Sequence, residues 1–239
     1  MGIFRMGPPT RLMLELKLRF QISTFVESGT YLGGTASWAA SVFDRVITME
    51  ASQELHERTK TQYASLTNVE FLCGDSRSVL PQVIQSLNLP ALFWLDSHWS
   101  GEGTHGRNDE CPVLEEIRLI NNSRHANFLF IDDARLFMSP PPEPHDWTQW
   151  PSIEEVIYAI QADGRRYHLV IMDDVLIAVP NEAKDCLTRF CRRVNTNLWE
   201  EYVDRQAALS LSGSRLVTAG FRLMGRSVLR KVRRRYYGN

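Results

Sequence analysis

Five places in the chain carry acids where a short apolar run gives way to a turn. They are Glu27-Ser28-Gly29-Thr30-Tyr31-Leu32-Gly33-Gly34, Glu50, Gly74-Asp75-Ser76, Asp96-Ser97-His98 and Ile131-Asp132-Asp133. Glycines in the first segment let the backbone turn tightly and approach a ligand, with the next helix N-terminus aimed at it. Glu50 follows Gly29 by 21 residues, and an acid so placed can accept two hydrogen bonds from a ribose. His98 has an unperturbed pKa of ~6.5, which suits a general base near neutrality. A plain loop histidine and a metal ligand are the other readings of the same residue. Asp96, Asp132 and Asp133 would converge if their strands were neighbours. Packed carboxylates raise one another's pKa, and a hard divalent cation such as Mg²⁺ relieves that. Any one of these acids alone is an ordinary turn former or helix cap; all of them on one edge call for a ligand.

The elements that must position these residues read as follows. Strand-like runs are 24–27, 45–49, 69–73, 91–95 and 127–131. Helix-like runs at 35–43, 53–65, 77–87 and 111–121 separate them, with 12–19 as a leading helix and 153–161 as a further one. Two β-rich runs, 168–172 and 175–179, flank Asp173-Asp174 and predict an antiparallel hairpin. Alternating strands and helices mean βαβ crossovers. The predicted fold is α/β, a doubly wound, mostly parallel seven-stranded sheet closed by that hairpin. Ligands of such sheets bind past the carboxyl ends of the strands. The predicted organisation is a helical lead-in over 1–23, a cofactor-binding catalytic domain over 24–180 and a helical extension with a basic tail over 181–239.

With 239 residues, 44% of them hydrophobic and 23% charged, the chain can bury one sizeable core. No stretch reaches the ~20 apolar residues of a membrane span, and residues 1–10 lack the pattern of a secretory signal. Cys73, Cys111, Cys186 and Cys191 lack CxxC spacing, which favours reduced thiols and a cytoplasmic location over a disulfide or a metal site. Net charge is −1, yet residues 205–239 hold nine basic residues and no acid, leaving 18 basic against 28 acidic residues elsewhere. An acidic body argues against a nucleic-acid partner. In 217–232, Val217, Phe221, Met224, Val228 and Val232 fall at helical spacing opposite Arg222, Arg226 and Arg230. The basic stretch 222–235 has the pattern of a helix for an acidic partner or a membrane periphery, or of one packed on its own domain or on a second copy in a homo-oligomer.

The strand-end pattern resembles the class I S-adenosylmethionine (SAM)-dependent methyltransferases. Their first motif, an acid followed by x-Gly-x-x-x-Gly, is matched by Glu27 to Gly33, with Gly29, Thr30 and Gly33 in the turn. The resemblance covers about Phe25 to Val179 and implies SAM as cofactor. Glu50 matches the ribose-binding acid, and Asp75 with Ser76 matches the pair that reads the adenine amino group. Asp96 matches a residue near the SAM amino group. The acids after strands four and five resemble those of metal-dependent O-methyltransferases of the catechol and macrolide-sugar (macrocin) types. That likeness implies Asp96, Asp132 and Asp133 as Mg²⁺ ligands, with Asp133 also part of the catalytic apparatus. The implied reaction is methyl transfer to the hydroxyl of a small molecule, a sugar or glycan first among candidates. Metal coordination would lower the hydroxyl pKa, His98 would take the proton and the oxygen would attack the sulfonium methyl in line.

Two rival readings stand beside this one. An NAD(P)-dependent oxidoreductase wants G-x-G-x-x-G, and Tyr31 interrupts it. A non-catalytic SAM-fold scaffold would keep the binding residues without the chemistry. Two loops, 97–110 with Trp99 and His105 and 134–151 with Arg135, His145, Trp147 and Trp150, are long enough for lids or acceptor-binding loops.

Overall fold

The computed structural model describes residues 7–101, 104–164 and 166–213. Tail residues 217–235 therefore lie outside the described residues. The chain divides into two compact units, residues 1–187 and 188–239.

The first unit is a sheet of seven strands in the order β3-β2-β1-β4-β5-β7-β6. The strands are β1 Thr24–Ser28, β2 Arg45–Glu50, β3 Val69–Cys73, β4 Leu92–Leu95, β5 Phe128–Ile131, β6 Tyr167–Met172 and β7 Val175–Pro180. The pairs β1–β2, β2–β3, β1–β4 and β4–β5 are parallel, and β7 runs antiparallel to both β5 and β6. Helices α1 Thr10–Phe20, α2 Gly34–Ala40, α3 Gln53–Gln62, α4 Ser76–Ser86, α5 Val113–Asn121, α6 Ala134–Met138 and α7 Ile153–Ile160 connect and cover the strands. Every residue of β4, β5 and β7 is buried, as continuous apolar runs demand when helices cover both faces.

Register is what aligns the strand ends. Ser28 stands beside Met49 and Leu95, Glu50 beside Cys73, and Leu95 beside Ile131. The residues that follow β1, β2, β3, β4 and β5 therefore emerge along one edge. Strand order reverses between β1 and β4, and the crevice of such sheets opens at that point.

Local sequence sets where the helices begin. Asp75 caps α4 by accepting from Arg77 N. Ser52 Oγ accepts from Leu55 N at the start of α3, and Ser152 and Glu155 form a reciprocal capping box on α7. Each such cap satisfies an amide the helix leaves unpaired. The hairpin tip Asp173-Asp174 has φ of 48° and 69°. Positive φ at both central residues suits a tight antiparallel turn.

The stretch 134–151, expected as a loop, contains α6 and a single 3₁₀ turn at Trp147–Gln149. Its Ala-Arg-Leu-Phe-Met run is too short to stand out as periodic. No disulfide joins the four cysteines. The second unit is described only as the greater part of α8, Lys184–Gly213. Among the described residues no helix is long and apolar enough to cross a membrane.

Candidate active site

A cleft of about 320 Å³ opens at the reversal point, lined by Gly29, Glu50, Asp75, Ser76, Asp96 and His98 among others. These are six of the residues singled out from the sequence, drawn from four strand ends. A cleft of this size falls at the lower end of small-molecule sites.

Gly29 lies where β1 and β4 abut. Its φ is +85°, and a Cβ there would stand 2.1 Å from the Asp96 backbone oxygen. Glu50 Oε2 accepts from Tyr31 N and Oε1 from Ser52 N, both at 2.9 Å. These two amides fix the carboxylate at the cleft wall, and each oxygen keeps acceptor capacity. Asp75 is more committed. Its Oδ1 accepts from Arg77 N and Nε at 2.9 Å, and its Oδ2 from Arg77 Nη2 at 2.6 Å. Those bonds hold its pKa below the usual carboxylate value. Arg77 also bridges to Asp109 at 2.6 Å. Asp75, Arg77 and Asp109 thus line the cleft together, and motif reading passed Arg77 over.

Glu27, Thr30 and Gly33 are not among the cleft-lining residues. Thr48 Oγ1 donates to Glu27 Oε2 at 2.6 Å and pairs with Thr30 Oγ1 at 2.6 Å, all three residues being buried. Gly33 precedes α2 with φ +75°, and a Cβ there would press the Tyr63 ring at 2.5 Å. These residues shape the turn from behind.

Burial, with the charge of Asp96 nearby, pushes the Glu27 carboxyl up to about 8 against the Thr48 hydrogen bond. A pKa raised on folding means stability is fully present below the unfolded value and is lost as pH rises through the folded one. The Glu27→Gln variant is therefore expected to match the wild type in thermal stability below about pH 5. Its advantage should then grow by up to about 1.4 kcal/mol per pH unit toward pH 8. Parallel melting profiles across that range would contradict the assignment.

Of the acids after β4 and β5, Asp96 lines the cleft; Asp132 and Asp133 are not among its lining residues, and Asp132 lines a second, smaller hollow with His98. His98, with a side chain 9% exposed, places Nε2 2.8 Å from Asp133 Oδ2 and Nδ1 3.7 Å from Asp96 Oδ1. Burial alone would raise Asp133, but the His98 hydrogen bond and the Arg135 charge outweigh it, and its pKa is lowered. An ionised Asp133 accepts only, so His98 Nε2 carries a proton toward it, and in the neutral ring Nδ1 keeps the lone pair. Burial lowers His98, the neighbouring acids raise it, and the net direction is up.

Arg135 is the other partner of Asp133, at 2.6 Å from Oδ1. Its Nη1 also pairs with Asp174 Oδ2, and its backbone N donates to Asp174 Oδ1 at 2.8 Å. The hairpin tip thereby clamps the turn after β5. Asp173-Asp174 had read only as a turn, and nothing in its local sequence marks this role.

Each Asp133 oxygen thus already holds one partner, His98 or Arg135. Among the described residues no group of three His, Cys, Asp or Glu side chains is arranged to hold a metal ion. Of the expected ligands, Asp96 and Asp132 lack the close His98 and Arg135 contacts that Asp133 makes. These two fit a hard cation in chemistry. Burial and the charges of Asp132 and Asp133 push Asp96 up to about 7 despite His98, and burial likewise raises Asp132. Two carboxylates with waters suffice for Mg²⁺.

The two longer segments meet at Glu110, 2% exposed. It accepts from Trp150 Nε1 at 2.7 Å and Asp146 N at 2.9 Å, and pairs with His145 Nδ1 at 2.9 Å. Trp150 and His145 in turn pack beside His98 and Trp99. Trp99 and Trp150 are buried, so neither presents a stacking surface to a ligand. His105 lines the cleft.

The architecture defined here, a 3-2-1-4-5-7-6 sheet with its crevice beside β1 and β4, is the Rossmann-like fold of class I methyltransferases. A Staphylococcus aureus protein provisionally assigned as a caffeoyl-CoA O-methyltransferase aligns over 74% of this chain and 86% of its own, with a TM-score of 0.53 and 14% identity. A Clostridium thermocellum protein provisionally assigned as an rRNA methylase aligns over 74% of this chain and 98% of its own, with a TM-score of 0.51 and 10% identity. No protein-family model and no curated protein matches the chain.

Proposed function

We propose that the chain is a SAM-dependent O-methyltransferase acting on a hydroxyl of a small molecule, with a sugar or glycan as the preferred class. One observation carries the reading. A single cleft is lined by Gly29, Glu50, Asp75 and Ser76 together with Asp96 and His98. The first group suits an adenosine, with Glu50 accepting from ribose hydroxyls and the close β1–β4 approach at Gly29 admitting ligand backbone-on. The second suits an acceptor hydroxyl beside a base.

When bound, SAM supplies an electrophilic sulfonium methyl. His98 Nδ1 takes the hydroxyl proton while Asp133, hydrogen-bonded to Nε2 at 2.8 Å, holds the ring and stabilises the imidazolium. Arg135 and Asp174 keep Asp133 in place. The Glu110-centred loops exclude water. Much of the acceleration comes from holding the reactants in attack geometry. Asp96 and Asp132 would hold a divalent cation, which supplies Lewis acidity toward the hydroxyl.

Against a dinucleotide, Tyr31 stands where a pyrophosphate site needs a glycine. It lines the cleft, has φ 47° and donates its amide to Glu50. Calorimetry with SAM and NAD separates the readings, with SAM expected to bind and NAD not. A SAM-consumption assay against sugars, glycolipids and catechols, with Mg²⁺ or with EDTA, then finds the acceptor class. NAD binding without SAM binding would overturn the proposal, and SAM binding without turnover on any acceptor would favour the scaffold. Activity undiminished by EDTA would assign the chemistry to the His98–Asp133 pair alone.

A further inference from the structure

Glu110 is 2% exposed and is not among the cleft-lining residues. A carboxylate so buried is costly unless it is hydrogen-bonded. The partners of its carboxyl group all come from 145–150. Oε2 accepts from Trp150 Nε1 at 2.7 Å and pairs with His145 Nδ1 at 2.9 Å, and Oε1 accepts from Asp146 N at 2.9 Å. The backbone adds to this. Glu110 N donates to Gln149 Oε1 at 3.0 Å, and Glu110 O accepts from Trp99 N at 2.8 Å. Other backbone bonds in the two segments stay local. His145 N donates to Pro142 O, Gln149 N to Asp146 O and Trp150 N to Trp147 O on one side, and Asp109 N to Gly106 O on the other. Among the described residues, every hydrogen bond between 97–112 and 139–151 has Glu110 at one end. Two ring contacts cross the same seam, Trp150 on His98 at 5.4 Å between centroids and His145 on Trp99 at 5.2 Å.

We infer that Glu110 is a positioning residue whose carboxylate fastens 139–151 to 97–112 and, through the Trp150 indole, fixes the wall against which the His98 ring rests. An indole N–H and a backbone N–H can only donate, so the site requires an acceptor at both Glu110 oxygens. Glutamine keeps the shape but offers one acceptor and one donor group. Either orientation of its amide turns an N–H toward Trp150 Nε1 or toward Asp146 N. Packing alone would accept that exchange, and the acceptor role does not. Trp150 both donates to Glu110 and packs on His98, which makes it the link to the base.

Only the effect on turnover rests on the function proposed above; the link between the segments does not. Hydrogen–deuterium exchange and NMR of the ligand-free full chain test the link. In Glu110→Gln the amides of Glu110's position, Asp146 and Trp150 and the Trp150 indole N–H are expected to exchange faster together, by about tenfold or more, while the β6–β7 hairpin is unchanged. The indole signal is the one lost in Trp150→Phe. The His98 ring resonances, assigned by their loss in His98→Ala, should shift at fixed pH. On an acceptor found by SAM consumption, kcat should fall by about 10- to 100-fold, the cost of a slightly misplaced group, with SAM Kd within about threefold of wild type. If Glu110→Gln does not fold, Trp150→Phe takes its place. It keeps a ring and deletes one donor, and should speed exchange at Asp146 by about threefold or more. Unchanged exchange at these amides, exchange faster across the whole molecule, or unmoved His98 resonances overturn the inference. Faster exchange with an unchanged kcat overturns the positioning role. A wild-type chain that fails to bind SAM sinks the cofactor reading and leaves the ligand-free measurements to judge Glu110.

Discussion

His98→Ala is expected to lower kcat by about 10²- to 10⁴-fold, the range of a lost general base, while SAM Kd changes little. The argument is geometric first. Nε2 is given to Asp133 at 2.8 Å, and the opposite nitrogen is turned to the acid end of the cleft. Trp150 packs on it, and the Glu110-bound His145 packs on Trp150 in turn, so water does not readily take its place. Asp133→Asn should fall between wild type and His98→Ala. An amide can hold the ring, yet it cannot stabilise the imidazolium that proton transfer creates. A His98→Ala enzyme within about threefold of wild-type kcat, well short of the loss of a base, would remove this residue from the chemistry. Loss of SAM binding in the same variant would recast it as a cofactor contact.

Gly29→Ala is the second large effect. Forcing a side chain into φ +85° costs on the order of 1–3 kcal/mol, and the new Cβ would also sit 2.1 Å from Asp96 O and 2.7 Å from Asp96 C. Both are backbone atoms, so the end of β4 must move. Asp96 N is bound to Ser28 O at 3.0 Å, and that bond would be disturbed with it. SAM binding is expected to weaken by at least about 100-fold, with a fall in Tm of several degrees. Gly34→Ala is the control, since a Cβ there meets nothing within 4 Å. Placed in a helix, alanine at 34 should be neutral or stabilising by about 0.5–1 kcal/mol. Equal SAM affinity in the two variants would refute the close-approach argument.

These predictions rest on features of unequal visibility in the sequence. The seven strands and their alternation with helices were legible because buried parallel strands are continuous apolar runs, of which 92–95 and 128–131 are clear cases. Gly29, Glu50, Asp75, Ser76, Asp96 and His98 were legible because they follow such runs directly. Partnerships were not. That Asp75 is held by Arg77, Asp133 by Arg135, and Arg135 in turn by Asp174 depends on which side chains meet across 2 or 39 residues, and no local pattern encodes the longer meeting. Glu27 illustrates the converse. Its place in the motif is right, yet a strand residue alternates faces, and its side chain points into a Thr48 network behind the cleft. Buried Glu116, which accepts from Ser97 Oγ at 2.8 Å, left a trace that could have been followed. Val113, Ile117 and Ile120 mark the buried face of their helix, and an acid at 116 falls on that face, out of keeping with a solvated charge.

The clamp on Arg135 has a bearing on how the molecule comes into being. The residues proposed for adenosine all precede position 97, whereas the carboxyl group that secures the turn after β5 belongs to Asp174. A chain emerging N-terminus first has those cleft residues encoded well before the brace for Arg135 exists. The turn that carries Asp133 is secured only when the last hairpin arrives, so a polypeptide arrested before that hairpin lacks the means to hold it.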